Sequence, residues 1–420
     1  MTGTSPQLRA GRRVLGVALV YGASVLALFV GELVFAATAS RSEFGQYNLV
    51  RQAVPLLSTL ALIGYDQALT REVAAAGGRL PRLDARQFRL IAAAFISGSV
   101  VASYLWARLD VALLVAVSVP VAAAGVAASN LVSGLLRASG SSFGGAAIQQ
   151  GHRLVTGLLL IASGLAATAV FGTWVLAVAA VSIGVVGLIL LRRRTGDAAR
   201  IPDDQHRHLR HLGIGYSLSM LSLAAGDWLD QVMVGELGRG TAEVGLYGQL
   251  KLVSIYPLLS IGSVLGFLAL PMVAARRDTL TVAIARRWLL LGAGATLVLG
   301  AIAAPVSRLV MEHGLDHRPE WVVAGVLAAV GALRLFYVLP SALLGAVAPA
   351  RLLSTFGALT FIGLAVQLAT TVLLRGEGLI LAASFGLLAS TLLRTLLSSA
   401  LTLRALASRP STPAPDPAGT

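Results

Sequence analysis

Apolar residues arrive along this chain in runs of about 20, long enough to cross roughly 30 Å of hydrocarbon as helices, and short polar breaks separate the runs. The pattern predicts helices at approximately 14–36, 45–65, 87–107, 111–135, 143–166 and 169–191. A second set follows at approximately 213–235, 244–270, 287–305, 321–346, 352–373 and 378–400. Barrel strands do not fit, because the segments are too long and too uniformly apolar. Helices satisfy their own backbone in lipid, where nothing else can.

The prediction is an all-α polytopic membrane protein of about 12 transmembrane helices in two six-helix lobes. The boundaries are an N-terminal lobe over 1–191, a basic linker over 192–212, a C-terminal lobe over 213–405 and a disordered tail over 406–420. Residues 1–7 read as a second disordered end. Six helices per half make the two repeats parallel, related by an axis near the membrane normal.

Composition agrees with this reading. The 420 residues are 56% hydrophobic and 12% charged, with a mean hydropathy of +0.80, too little polar surface for a soluble globule. The net charge of +14 does not point to nucleic acid, since the bases sit in clusters between apolar runs with no aromatic-basic face. Their distribution instead predicts orientation. Arg71, Arg79, Arg82 and Arg86, then Arg192, Arg193, Arg194, Arg200, Arg207 and Arg210, then Arg276, Arg277, Arg286 and Arg287 fall on one side of the predicted topology. The positive-inside rule places that side, and both termini, in the cytoplasm. The run after Arg9, Arg12 and Arg13 is longer than a signal-peptide core and is kept as helix 1. With no cysteine, disulfides, thiolate metal sites and a cysteine nucleophile are excluded.

Charges inside the runs are the candidate chemistry, because an ionisable group in hydrocarbon is costly unless it serves a site or a pair. Phe44-Gly45-Gln46-Tyr47-Asn48-Leu49-Val50-Arg51 and Val244-Gly245-Leu246-Tyr247-Gly248-Gln249-Leu250-Lys251 occupy matched positions two hundred residues apart. Each opens the second helix of its half and puts a tyrosine four residues before a base, on one helical face. Arg51 and Lys251 are expected to form a paired cationic site or, alternatively, to snorkel to the headgroups. Glu32 and Asp230 lie at comparable levels of the preceding helices and could pair with them. Asp227, near mid-membrane and three residues before Asp230, reads either as an ion-coupling carboxylate or as the fixed partner of a base such as Lys251. Arg334 and His152-Arg153 lie too deep to snorkel and should face the interior. Guanidinium groups match phosphate oxygens in bidentate geometry, so a diphosphate-like headgroup is the expected ligand, with permanent pairing to the three acids as the alternative.

His206, His208 and His211, and His313 with His317, read as solvated loop residues rather than metal ligands. No Walker, HExxH or GxSxG motif is present, so transport energy would come from a gradient or the membrane potential and no cofactor is expected.

The layout resembles the polysaccharide-transport flippases of the multidrug/oligosaccharidyl-lipid/polysaccharide exporter superfamily. Helix 1 leads through Ser40-Arg41-Ser42-Glu43-Phe44-Gly45-Gln46-Tyr47 into helix 2, and Asp230-Gln231-Val232-Met233-Val234-Gly235 leads to Val244-Gly245-Leu246-Tyr247. The resemblance covers about residues 10 to 405. It implies two lobes around a central cavity lined by helices 1, 2, 7 and 8, opening alternately to the two sides of a bacterial cytoplasmic membrane. The implied activity is movement of polyprenyl-diphosphate-linked oligosaccharide to the outer leaflet, without enzymatic chemistry. Implied partners are that glycan, membrane lipids, H+ or Na+, and other polysaccharide-assembly membrane proteins. Arg51 and Lys251 match the positions where the cavity would meet the diphosphate; Arg153, Arg334, Tyr47 and Tyr247 would line it. The alternatives are an ion-coupled drug/cation antiporter of the same superfamily and a membrane-embedded glycan polymerase or ligase.

Overall fold

In the computed structural model the described residues are 6–75, 80, 85–164, 168–195, 203–238, 240–275 and 279–408, and among them there is no strand. The first half contains α1 (Pro6–Thr38), α2 (Arg41–Leu62), α3 (Tyr65–Ala75), α4 (Ala85–Leu109), α5 (Leu113–Ala138), α6 (Ser142–Ala162) and α7 (Ala169–Thr195). The second contains α8 (Asp203–Leu237), α9 (Thr241–Ser254), α10 (Tyr256–Ala275), α11 (Val282–Gly314), α12 (Trp321–Val347), α13 (Ala350–Leu374) and α14 (Leu379–Ala407). These fourteen helices make about twelve spans, because α3 is a short helix beyond α2 and α9 with α10 forms one span bent by 52°.

Local chemistry sets the boundaries. Ser40 caps α2 through a reciprocal capping box with Glu43, so the helix starts at Arg41 rather than at the expected 45. It stops where Ile63 and Gly64 take positive φ values of 45° and 66°, which lets the chain turn into α3 instead of running on. The bend between α9 and α10 falls at Ile255, where Pro257 removes an amide donor from the helical ladder. The expected linker is shortened from both sides: α7 continues to Thr195 and α8 begins at Asp203, leaving 196–202 outside the described residues. His206, His208 and His211 fall within α8 rather than in a loop. The expected tails are shortened too, since Pro6 and Gln7 belong to α1 and α14 reaches Ala407, with Ser408 as its C-cap; residues 1–5 and 409–420 lie outside the described residues.

The halves share most of their packing, although α5 also packs on α6 without an equivalent between α12 and α13. In the first, α1 packs on α6, α4 on α5, α5 on α7, α6 on α7 and α2 on α5; in the second, α8 packs on α13, α11 on α12, α12 on α14, α13 on α14 and α10 on α12. Each pair matches its counterpart span for span. The lobes meet by α2 crossing α9, flanked by α1 against α10 and α2 against α8.

Among the described residues, eight helices are apolar and long enough to qualify as spans individually, or nine with the bent pair. Among those that do not qualify are α2, α6 and α8, whose sequences include Arg51, the Gln149-Gln150-Gly151-His152-Arg153 stretch, and Asp227 with Asp230.

Candidate functional site

The repeated motif is the contact between the lobes. Gly45 and Gly245 meet where α2 crosses α9, and a Cβ on Gly45 would stand 2.8 Å from the Gly245 amide nitrogen. On Gly245 it would stand 2.7 Å from the Arg41 carbonyl carbon. Only glycine permits this backbone approach. Beside it the Ser42 and Thr241 hydroxyls hydrogen-bond across the lobes at 2.7 Å, and the Gln249 amide donates to the Ala36 carbonyl at 2.9 Å.

One turn deeper each motif builds a triad with the preceding span. Tyr47 donates to Glu32 at 3.0 Å and Tyr247 donates to Asp230 at 3.0 Å. Arg51 forms an ion pair with Glu32, and Lys251 forms one with Asp230 at 2.8 Å. Acid, tyrosine and base thus recur in both lobes, with the tyrosine and base one helical turn apart on a shared face. Neither base snorkels.

The two triads diverge in surroundings. Arg51 is 17% exposed, borders a cavity between the lobes and stacks over the Tyr256 ring, 4.3 Å from its centroid. The Tyr256 hydroxyl accepts from Gln52. Lys251 is fully buried, as are Tyr247 and Asp230, and none of the three borders the cavity. The expectation that Lys251 and Tyr247 line it, with Lys251 as half of a cationic clamp, is corrected: at position 251 the helix turns its base toward α8, not toward the lobe interface. Arg334 likewise does not line the cavity. It donates to Asp227 at 2.9 Å, while Lys251 approaches the same carboxylate at 3.6 Å. Asp227 therefore faces two bases, Arg334 at 2.7 Å and Lys251 at 3.6 Å.

The cavity has a volume of about 400 Å³ and draws walls from α1, α2, α5, α6, α7, α8 and α10. It starts below the α2–α9 crossing, at Glu32, Arg51 and Asp227, and runs away from that crossing to Ser58, Thr59 and Ser263. Arg153 lines it together with His152 and Gln149. Among the described residues Arg153 has no carboxylate within ion-pair distance, although Glu32 and Arg51 are among its electrostatic neighbours.

Among the described residues, each of the three acids at the lobe seam is paired. Glu32 is taken by Arg51, Asp227 by Arg334 and Asp230 by Lys251. Five bases (Arg51, Arg153, Lys251, Arg334 and Arg394) against these three acids leave two, Arg153 and Arg394. Arg394 was not among the expected residues. It lies within α14, 4% exposed, and donates to the Ser222 carbonyl at 2.8 Å; the depth criterion applied to Arg334 would have selected it. Gln52 and Tyr256 were also missed, because neutral polar residues in a span carry little signal. Among the described residues no group of histidines and carboxylates could hold a metal. In the loop after α11, His317 is pulled below the ordinary histidine value by partial burial and by Arg41.

About twelve spans in two lobes, with a cavity at their seam bordered by Glu32, Arg51, Arg153 and Asp227, define a polytopic membrane fold. The model of a family described as polysaccharide biosynthesis protein matches residues 10–275, more than half of the chain. The chain belongs to that family. Among solved structures it is similar to an outward-facing conformation of a multidrug resistance MATE family transporter of the MOP superfamily. Identity is 12% over 94% of this chain and 96% of that one, with a TM-score of 0.62. It is also similar to the bent form of the Vibrio cholerae MATE transporter VcmN, at 16% identity over 94% and 97% of the two chains and a TM-score of 0.57. An inward-facing MATE family transporter aligns at 11% identity over 93% and 95%, with a TM-score of 0.55. At these identities the likeness is one of fold. No curated protein sequence matches the chain significantly.

Proposed function

We propose that this protein flips a polyprenyl-diphosphate-linked oligosaccharide from the cytoplasmic to the outer leaflet by alternating access. The observation that carries the reading is Arg153: a cavity-lining guanidinium with no carboxylate partner among the described residues. An arginine in such a place wants an anion, and a diphosphate offers the planar fork of acceptors that suits it. Arg51 adds a second positive edge to the same cavity, and the family match to polysaccharide biosynthesis proteins supplies the context. The polyprenyl chain would stay in the bilayer beside the lobe seam.

With both termini cytoplasmic, the α2–α9 crossing is the outer end and the cavity runs toward the cytoplasm. That arrangement suits a state awaiting substrate from the inner leaflet.

The competing reading is a drug/cation antiporter, which the fold of the MATE transporters and the cavity-lining Asp227 favour. Against it, Asp227 is already held by Arg334 and Lys251, so a cationic substrate would have to displace resident bases. Arg153→Gln, expressed in cells lacking the native gene, separates the two. Losing one charge-assisted hydrogen-bond pair of about 1.5–3 kcal/mol should weaken headgroup capture by roughly 10- to 100-fold. Outer-leaflet glycan should fall accordingly at unchanged protein abundance. Full glycan export, or altered tolerance to cationic drugs as the sole effect, would reject the flippase reading.

A further inference from the structure

Among the described residues, both arginines that border the cavity, Arg51 and Arg153, come from the N-terminal lobe, and the C-terminal lobe meets Arg51 with an aromatic ring. Tyr256 is the first residue of α10, directly after the 52° bend at Ile255. It borders the cavity, and its ring centroid lies 4.3 Å from the Arg51 guanidinium. Its hydroxyl accepts from Gln52. One side chain of the C-terminal lobe therefore ties down two consecutive residues of α2 across the seam.

The contact decides which part of Arg51 is left for a ligand. Nε is spent on Glu32, which also accepts from Tyr47, so the side chain is anchored within its own lobe. The Tyr256 ring supports the guanidinium from the other lobe, and the Tyr256 hydroxyl is a further polar neighbour. A guanidinium keeps all its donors in its plane, so an aromatic ring engages its face without consuming them. The Nη groups carry more N–H donors than one hydroxyl, already accepting from Gln52, can take up. The surplus matches phosphate oxygens. Without the ring, a ligand would itself have to immobilise a long, rotamer-rich side chain, at a cost in affinity.

We propose that Tyr256 is a positioning residue for the headgroup site, its ring holding Arg51 so that the terminal donors face the cavity. The proposal rests on the reading of that cavity as a diphosphate site. It also makes the grip depend on conformation. Arg51 and Tyr256 belong to different lobes, so their contact holds while the α2–α9 crossing is closed and is lost when the lobes part there. Binding is then tightest in the state that loads substrate, and opening of the outer end loosens Arg51 and favours release.

The test measures binding of a fluorescent polyprenyl diphosphate to the purified full-length protein in detergent, together with thermal unfolding. Tyr256→Leu removes the ring and should raise the half-saturating concentration roughly 2- to 30-fold, the span expected of a cation–π contact. Tyr256→Phe keeps the ring and should be impaired less. Adding Tyr256→Leu to Arg51→Ala should cost nothing further, because the ring acts only through Arg51. The unfolding temperatures of wild type, both single variants and the double variant should show the same non-additivity, a readout that needs no ligand. With the crossing held shut by a Ser42→Cys and Thr241→Cys disulfide, binding should be at least as tight as in wild type. Tyr256→Leu binding like wild type, Tyr256→Phe as impaired as Tyr256→Leu, additive losses, or weaker binding on cross-linking would each overturn the inference. A wild-type protein that shows coupled unfolding but binds no polyprenyl diphosphate would overturn the diphosphate reading, and this role with it.

Discussion

Lys251 and Arg51 occupy matched places and have different jobs because their exposure differs. Lys251 is sealed with Asp230 at 2.8 Å, so removing either partner leaves a buried charge unanswered. Lys251→Met alone should cost about 3–5 kcal/mol of stability, and the double variant Lys251→Met with Asp230→Leu should recover most of that loss. Thermal unfolding of the three proteins measures it, and a double variant no more stable than the single would contradict the pairing. Arg51 borders the cavity and is partly solvated, so Arg51→Ala should lower export with a smaller effect on stability. At this scale the sequence was informative where a charge interrupted an apolar run: Arg153, Arg334 and Asp227 could be selected by depth alone. Which of them faced a cavity could not, since that depends on how far α9 is rotated and bent at Ile255. Arg394 met the same depth criterion and was overlooked.

Among the elements, spans were legible because a bilayer demands about 20 apolar residues per crossing. The breaks were not. The end of α2 depends on positive φ at Ile63 and Gly64, a tertiary choice with weak local signal, and α3 was read as loop because its polar residues leave no apolar run. In the sequence Gly45 and Gly245 are only one match between two aligned stretches, whereas in the fold they are the point where two backbones touch. Gly245→Val should therefore force α2 and α9 apart, destabilising the protein by about 1–3 kcal/mol through overpacking. Gly294, whose Cβ would meet nothing within 4 Å, is the control: Gly294→Ala should be close to neutral. Equal unfolding temperatures for the two variants would contradict the close approach.

For the molecule as a whole, the equivalence of the lobes was visible only as two sets of six helices. Its physical content, five helix pairings repeated in each half, lies in packing that diverged sequences share. Because the α2–α9 crossing seals one end of the cavity, alternating access requires it to part. The absence of cysteine makes this directly testable with Ser42→Cys and Thr241→Cys, whose parent hydroxyls are 2.7 Å apart. Oxidation should stop export and reduction should restore it; full export by the cross-linked protein would mean that this end does not open.

The central claim is that the cavity moves a lipid-linked diphosphate and that Arg153 grips it. The most direct measurement is translocation of a fluorescent polyprenyl-diphosphate oligosaccharide across proteoliposomes carrying the purified protein. Wild type should move it faster than protein-free vesicles, and Arg153→Gln should fall roughly 10- to 100-fold. Movement by wild type no faster than in empty vesicles, or equal rates for wild type and Arg153→Gln, would contradict the account.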